Sequence, residues 1–130
     1  MKASLQKDDI GEMLGRLGKA VSSGDLAGIS ACYAFPALLM IGENSTVLEK
    51  AEQLEDMFAK GRDWYTSRGI LETRADLESI DEMTDTIAAI NVRWPGFDKT
   101  GIETYTETSH YILQASNGKP LIRVAMTRTK

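Results

Sequence analysis

The stretch that decides the fold runs Thr86-Ile-Ala-Ala-Ile-Asn-Val-Arg-Trp94, Pro95-Gly-Phe-Asp-Lys-Thr-Gly101, Ile102 through Ala115, Ser116-Asn-Gly-Lys-Pro120, then Leu121 to Thr127. It reads as strand, glycine-containing hairpin, long strand, Asn-Gly turn and strand. With Trp94 set opposite Ile102, Arg93 falls opposite Glu103 and Asn91 opposite Tyr105. An opposite-charge pair directly across strands favours that register by about 0.2–1 kcal/mol. One face then carries Ala88, Ile90, Val92, Trp94, Ile102, Thr104, Thr106, Thr108, His110 and Ile112. It holds no full charge and is assigned to the core. The other carries Arg93, Glu103, Tyr105, Glu107, Tyr111 and Leu113, a mixed face suited to a dimer surface. At the last turn a longer, bulged loop is preferred over a two-residue Asn117-Gly118 turn. It places Ile122, Val124 and Met126 inward and keeps Arg123 off the core.

Working outward, Ile10, Met13, Leu14, Leu17 and Val21 form one face of a helix from about Gln6 to Val21, with looser chain before it. Asp25 is an N-cap for a short second helix carrying Leu26, Ile29, Cys32 and Tyr33, stopped by Pro36. Ala37 to Ile41 is a strand, with a return strand at Thr46 to Leu48. A third helix follows from about Glu49 to Ser67, its buried stripe Ala51, Leu54, Met57, Phe58, Gly61, Trp64 and Tyr65. Gly69 is its natural terminator. Leu71 to Ser79 alternates as a half-wet strand. The order is α-α-β-β-α-β-β-β-β, a single α+β domain over residues 1–130.

Composition excludes several classes. The 130 residues carry a net charge of −4 with scattered Lys and Arg, so no basic stripe exists for nucleic acid and an anionic membrane is an unfavourable partner. No apolar run approaches membrane-spanning length. The single cysteine, Cys32, excludes an internal disulfide and fits a reducing compartment. With no secretion signal, a cytoplasmic location is expected. Metal-ligand spacing, phosphate-binding loops and nucleophile triads are absent, so no cofactor and no metal are expected.

The order of elements has a counterpart. Two helices ending in Gly24-Asp25, then Tyr33-Ala-Phe-Pro36, a hairpin at Gly42, a helix closing at Gly69, Trp94…Asp98-Lys-Thr-Gly101, Ser109-His-Tyr-Ile-Leu113 and Asn117-Gly118 resemble the nuclear-transport-factor-2-like superfamily. The likeness is nearest to its bacterial SnoaL-like, polyketide-cyclase-like branch. The resemblance implies a cystatin-like cone: a curved, mostly antiparallel sheet wrapped round the long helix, with two further N-terminal helices and an apolar pocket between layers. It also implies homodimers, and members that range from isomerases, dehydratases and cyclases to non-catalytic binding modules. The carboxylate base that isomerase-like members place after the second helix has no counterpart in Phe35 to Ile41. The Asp-Arg-Asp group of the epoxide hydrolases is likewise missing from the expected inward positions.

His110, the only histidine, is therefore the candidate base or carbonyl polariser, and Tyr33 the candidate hydrogen-bond donor. Trp64, Tyr65, Trp94, Thr108 and Met126 are candidate ligand-binding residues. Asp98 is expected to serve its turn, Glu103 and Glu107 to be wet or paired with Arg93, and Cys32 to lack an activating partner. The expected function is a pocket for a small hydrophobic ligand, with cofactor-independent acid–base chemistry. The alternative is a non-catalytic module that associates as a homodimer through the outer sheet face.

Overall fold

The computed structural model describes residues 5–129. Helix α1 spans Lys7–Ser23 and buries Ile10, Met13, Leu14 and Leu17 to 2% exposure or less. Leu5 is buried too, so the chain is held before Gln6; the expectation of loose chain at residues 1–4 lies outside the described residues. Gly24 ends α1 at φ 73°, where a side chain would be strained. Asp25 then caps α2 (Leu26–Ser30) by accepting from the Gly28 N–H at 3.0 Å.

Helix α2 is shorter than the sequence pattern suggested. Cys32 and Tyr33 do not extend it: β1 begins at Tyr33 and runs to Ile41 with Pro36 inside it, after a cis Phe35–Pro36 bond. The Cys32 thiol is buried and points at the carbonyls of Met13 and Gly28. Strand β2 (Asn44–Leu48) returns antiparallel to β1.

Helix α3 spans Ala51–Ser67, its start held by the Gln53 side chain, which accepts from the N–H groups of Glu49 and Lys50. Leu54 is its one fully buried residue. At 100° per residue, Tyr65 returns to within about 20° of Leu54, whereas Trp64 lies about 80° away. Trp64 is accordingly 40% exposed.

Strands β3 (Glu72–Thr73) and β4 (Asp76–Glu82) replace the single alternating strand expected over Leu71 to Ser79. A break at Arg74-Ala75 and a bulge between Leu77 and Ser79 reset the alternation. Leu77 pairs with Val92 and Ile80 with Ile90 on the core side, Ser79 swings outward onto Asn91, and Leu71 is exposed.

Strands β5 (Ile87–Phe97), β6 (Glu103–Ser116) and β7 (Lys119–Thr129) form the deciding stretch. The sheet is open and mixed, in the order β2-β1-β7-β6-β5-β3, with β4 also paired to β5; β1 and β7 run parallel. Helix α1 packs on β3 and β7, and α3 leans towards β2.

The β5–β6 register differs from the expected one, and the difference reverses β6. Pro95, Gly96 and Phe97 continue β5 instead of forming the loop, so Trp94 pairs with Glu107, Arg93 with Thr108 and Asn91 with His110. The loop is confined to residues 98–102. There the Asp98 carboxylate accepts from the N–H and hydroxyl of Thr100 and the N–H of Ile102, which holds its pKa below the usual carboxylate range. Gly101 takes φ 83°. An odd shift exchanges the two faces of a strand. The buried row Ala88, Ile90, Val92 and Trp94 therefore meets Leu113, Tyr111, Ser109 and Glu107, while Thr106, Thr108, His110 and Ile112 face outward. Arg93 still reaches Glu103, which now lies off its row on β6, and it pairs with Asp76 directly across on β4.

The last turn is the tight Asn117-Gly118 pair, with Ser116 opposite Lys119. A bulge inside the strands, between Ile112 and Leu113, keeps Ile122 buried and then sends Ala125 inward, so Val124 and Met126 lie outward. Arg123 stays out of the core, donating to Gln114 and to the Pro36 carbonyl.

Candidate functional site

A cavity of about 270 Å³ lies between α3, the end of α1 and the inner face of the sheet. Its wall is mostly aliphatic and aromatic. Leu54, Met57, Phe58 and Gly61 come from α3, Leu17 and Val21 from α1, and Ile29 from α2. The missing side chain at Gly61, next to the off-stripe Trp64, leaves α3 unable to fill the space itself. Leu54 alone is fully buried, while Met57, Phe58, Gly61 and Tyr65 look into a void.

Polar atoms converge on this void from β1, β6 and α3. Tyr33, 6% exposed at the start of β1, lines it. Among the described residues no group hydrogen-bonds to its hydroxyl, yet the oxygen is not sealed in protein, so it opens into the cavity. Burial, with Tyr111 close by, raises the Tyr33 pKa well above its ordinary value. Tyr111 accepts from the Trp94 indole N–H at 3.0 Å. Burial pushes the Tyr111 pKa up to about 12, partly offset by hydrogen bonds from Ser109 and Trp94.

Four residues before Tyr111 on the same face, Glu107 presents a half-buried carboxylate to the cavity. The Tyr105 hydroxyl donates to it at 3.2 Å. Tyr65, from α3, faces the same carboxylate; burial first, then hydrogen bonding and charge from Glu107, hold its pKa far above the ordinary tyrosine range. Tyr65, Tyr105 and Trp64 pack edge to face, with ring centres 5.1–5.9 Å apart. At the other end of α3's exposed turn, Arg62 donates to the carbonyls of Val21 and Ser22 and lies against Gly24. It supplies the positive charge that the last turn of α1 lacks.

The structure thus gathers Tyr33, Tyr65 and Trp94 of the sequence-predicted residues around one cavity. It does not bring Trp64, Thr108, His110 or Met126 to it. His110 and Thr108 lie outward because of the register shift, and Met126, paired with His110, follows. The His110 Nδ1 meets the Asn91 side-chain oxygen, and the Asn91 amide donates to Ser79, an outer-face row away from the cavity. Tyr105 and Tyr111, expected on an outer dimer face, line the cavity, and Leu113 is fully buried. The residues that sequence reasoning missed are Tyr105, Glu107, Ser109 and Tyr111. Their signal was the alternation Tyr-Thr-Glu-Thr-Ser-His-Tyr-Ile-Leu, in which every second residue from Tyr105 to Leu113 belongs to the inner row. Among the described residues, no cluster of His, Cys, Asp and Glu suits a metal ion, and no helix is long and apolar enough to cross a membrane.

This architecture, three helices against a curved mixed sheet with a cavity between them, is the cystatin-like α+β fold. The chain belongs to the NTF2-like family described as NTF2-like protein (DUF6841), whose profile matches residues 8–130. No curated protein sequence matches it. Among solved structures it is similar to an NTF-2 like protein of unknown function from Shewanella oneidensis, at 17% identity and a TM-score of 0.71, covering 92% of this chain and 96% of that one. A cystatin-like protein of unknown function from Nostoc punctiforme is similar at 14% identity and a TM-score of 0.75, covering 98% and 95%. A ketosteroid isomerase-like protein from Erwinia carotovora is similar at 14% identity and a TM-score of 0.69, covering 94% of each chain.

Proposed function

We propose that this chain binds a small, largely apolar molecule in the cavity and orients it through Tyr33. One observation carries the reading: a tyrosyl hydroxyl, buried in an apolar wall, makes no hydrogen bond to the described residues and opens into the cavity. Leaving such a donor without a partner costs about 1–3 kcal/mol, which a ligand oxygen or nitrogen would recover. Proton movement in this pocket is cofactor-independent. Tyr33 is the donor able to stabilise charge on a bound oxygen, and Glu107 takes the acceptor role first sought in His110. A neighbour named as ketosteroid isomerase-like supports chemistry of that kind. The same proposal includes a homodimer formed through the outer sheet face, with Ile112, Val124 and Met126 as its apolar contacts in place of the tyrosines.

Native mass spectrometry of the protein as purified reports retained ligand and subunit number together. A retained small molecule, lost or weakened about tenfold by Tyr33→Phe with the melting temperature unchanged, supports the reading. A Tyr33→Phe protein that retains every ligand as the parent does removes its basis.

A further inference from the structure

Glu107 presents its carboxylate to the cavity and has no counter-charge among the described residues. Among the described residues no lysine, arginine or histidine forms an ion pair with it. The arginines nearby are engaged elsewhere. Arg62 is bound to the α1 carbonyls, Arg68 sits over the Trp64 ring at 4.4 Å, and Arg93 pairs with Asp76 and Glu103 on the outer face. The groups that do meet Glu107 are neutral tyrosyl donors, Tyr105 and Tyr65. They hydrogen-bond the carboxylate and bring no positive charge to it.

We infer that the cavity selects a ligand bearing a protonated amine on an apolar body, with the Glu107 carboxylate as its counter-ion. This rests on the reading of the cavity as a ligand site and names the class of ligand. An ammonium group supplies both a hydrogen bond to the free lone pairs of Glu107 and the missing positive charge; a hydroxyl supplies the first alone. The rings of Tyr65 and Tyr105 beside the carboxylate add electron-rich faces that favour a cation. Charges on the cavity wall sum the same way, with Glu72 and Glu107 against Arg62. An anionic ligand would meet Glu107 unfavourably, and the rest of the wall asks for an alkyl or aryl body.

The test is calorimetric titration of the full chain with three matched probes: octylamine, octanol and octanoate. The expected result is one octylamine per chain, bound about tenfold or more tightly than octanol, with octanoate weakest. Glu107→Gln should bring octylamine down to the affinity of octanol for the same variant. If that variant fails to fold by circular dichroism, Glu107→Leu, similar in bulk and without polar atoms to satisfy, gives the same test through the ratio of octylamine to octanol affinity. Octanol binding as tightly as octylamine, or an advantage that survives the loss of the carboxylate, overturns the amine inference and leaves the ligand site standing. No binding by any of the three probes overturns both.

Discussion

Trp94 and Tyr111 are joined across β5 and β6 by an indole N–H donating to a phenolic oxygen at 3.0 Å, both side chains buried. The bond occupies an acceptor site on Tyr111, so the phenol's own proton is directed elsewhere. Trp94→Phe keeps most of the apolar surface and removes this donor. It should lower stability by about 1–3 kcal/mol, read as a fall in the denaturation midpoint with an unchanged slope. An unaltered midpoint would mean that the bond contributes nothing.

All four tyrosines, Tyr33, Tyr65, Tyr105 and Tyr111, have pKa values raised by burial. A group that releases its proton later in the folded state than in the unfolded state contributes stability that is complete below the unfolded pKa. That contribution is lost as pH rises through the folded values. Stability should therefore hold until roughly pH 10, the ordinary tyrosine value, and then fall steeply. Tyr111→Phe should make the fall shallower. Denaturant midpoints across alkaline pH check this, and equal slopes in the two proteins would count against it.

His110 faces outward with its Nδ1 on Asn91. His110→Ala should cost about 0.5–1.5 kcal/mol and leave cavity affinities unchanged, in contrast to Tyr33→Phe. Loss of ligand binding on removing His110 would contradict the outward placement of this strand face.

At Gly24, φ is 73° and a Cβ would sit 2.7 Å from the Arg62 guanidinium carbon. Gly24→Ala therefore meets two penalties, left-handed strain and a clash, and should lose about 1–3 kcal/mol. Arg62→Ala in the Gly24→Ala background should recover the clash and leave the strain. Strict additivity of the two changes in thermal melts would show that they do not touch.

Leu54 is the fully buried anchor of α3 and part of the cavity wall. Leu54→Ala should cost about 2–5 kcal/mol, and the enlarged cavity should accept a bulkier probe than the parent does. Matched thermal-shift series with small and branched amines read both effects.

The helices and the run of strands were legible because their signals are local: the α1 stripe, the Asp25 cap, and Gly24, Gly69 and Gly101 at positive φ. The site was not, because its membership depends on strand parity. Pro95-Gly96 looks like loop chemistry, yet Pro95 is buried within β5 and its carbonyl accepts from Thr73. Extending β5 through Phe97 turned Tyr105, Glu107 and Tyr111 inward and His110 outward. The rule that full charges stay off the core face pointed the wrong way, since a cavity, unlike a packed core, can hold a carboxylate among tyrosyl donors. The bulge between Ile112 and Leu113 left no mark in the sequence; β-branched and leucine side chains fit either arrangement.

Strand β7 lies between β1, made near the start of the chain, and β6, made just before it. A chain emerging from the ribosome delivers this central rung after all the others. Until then β1–β2 and the β3–β6 group are two half-sheets with facing open edges, and the cavity they jointly wall does not exist. On the proposed function, ligand capture therefore waits for β7 to join the sheet. A nascent or truncated form lacking β7 would present two sticky ribbons in search of a partner strand, and another molecule's β7 could supply it.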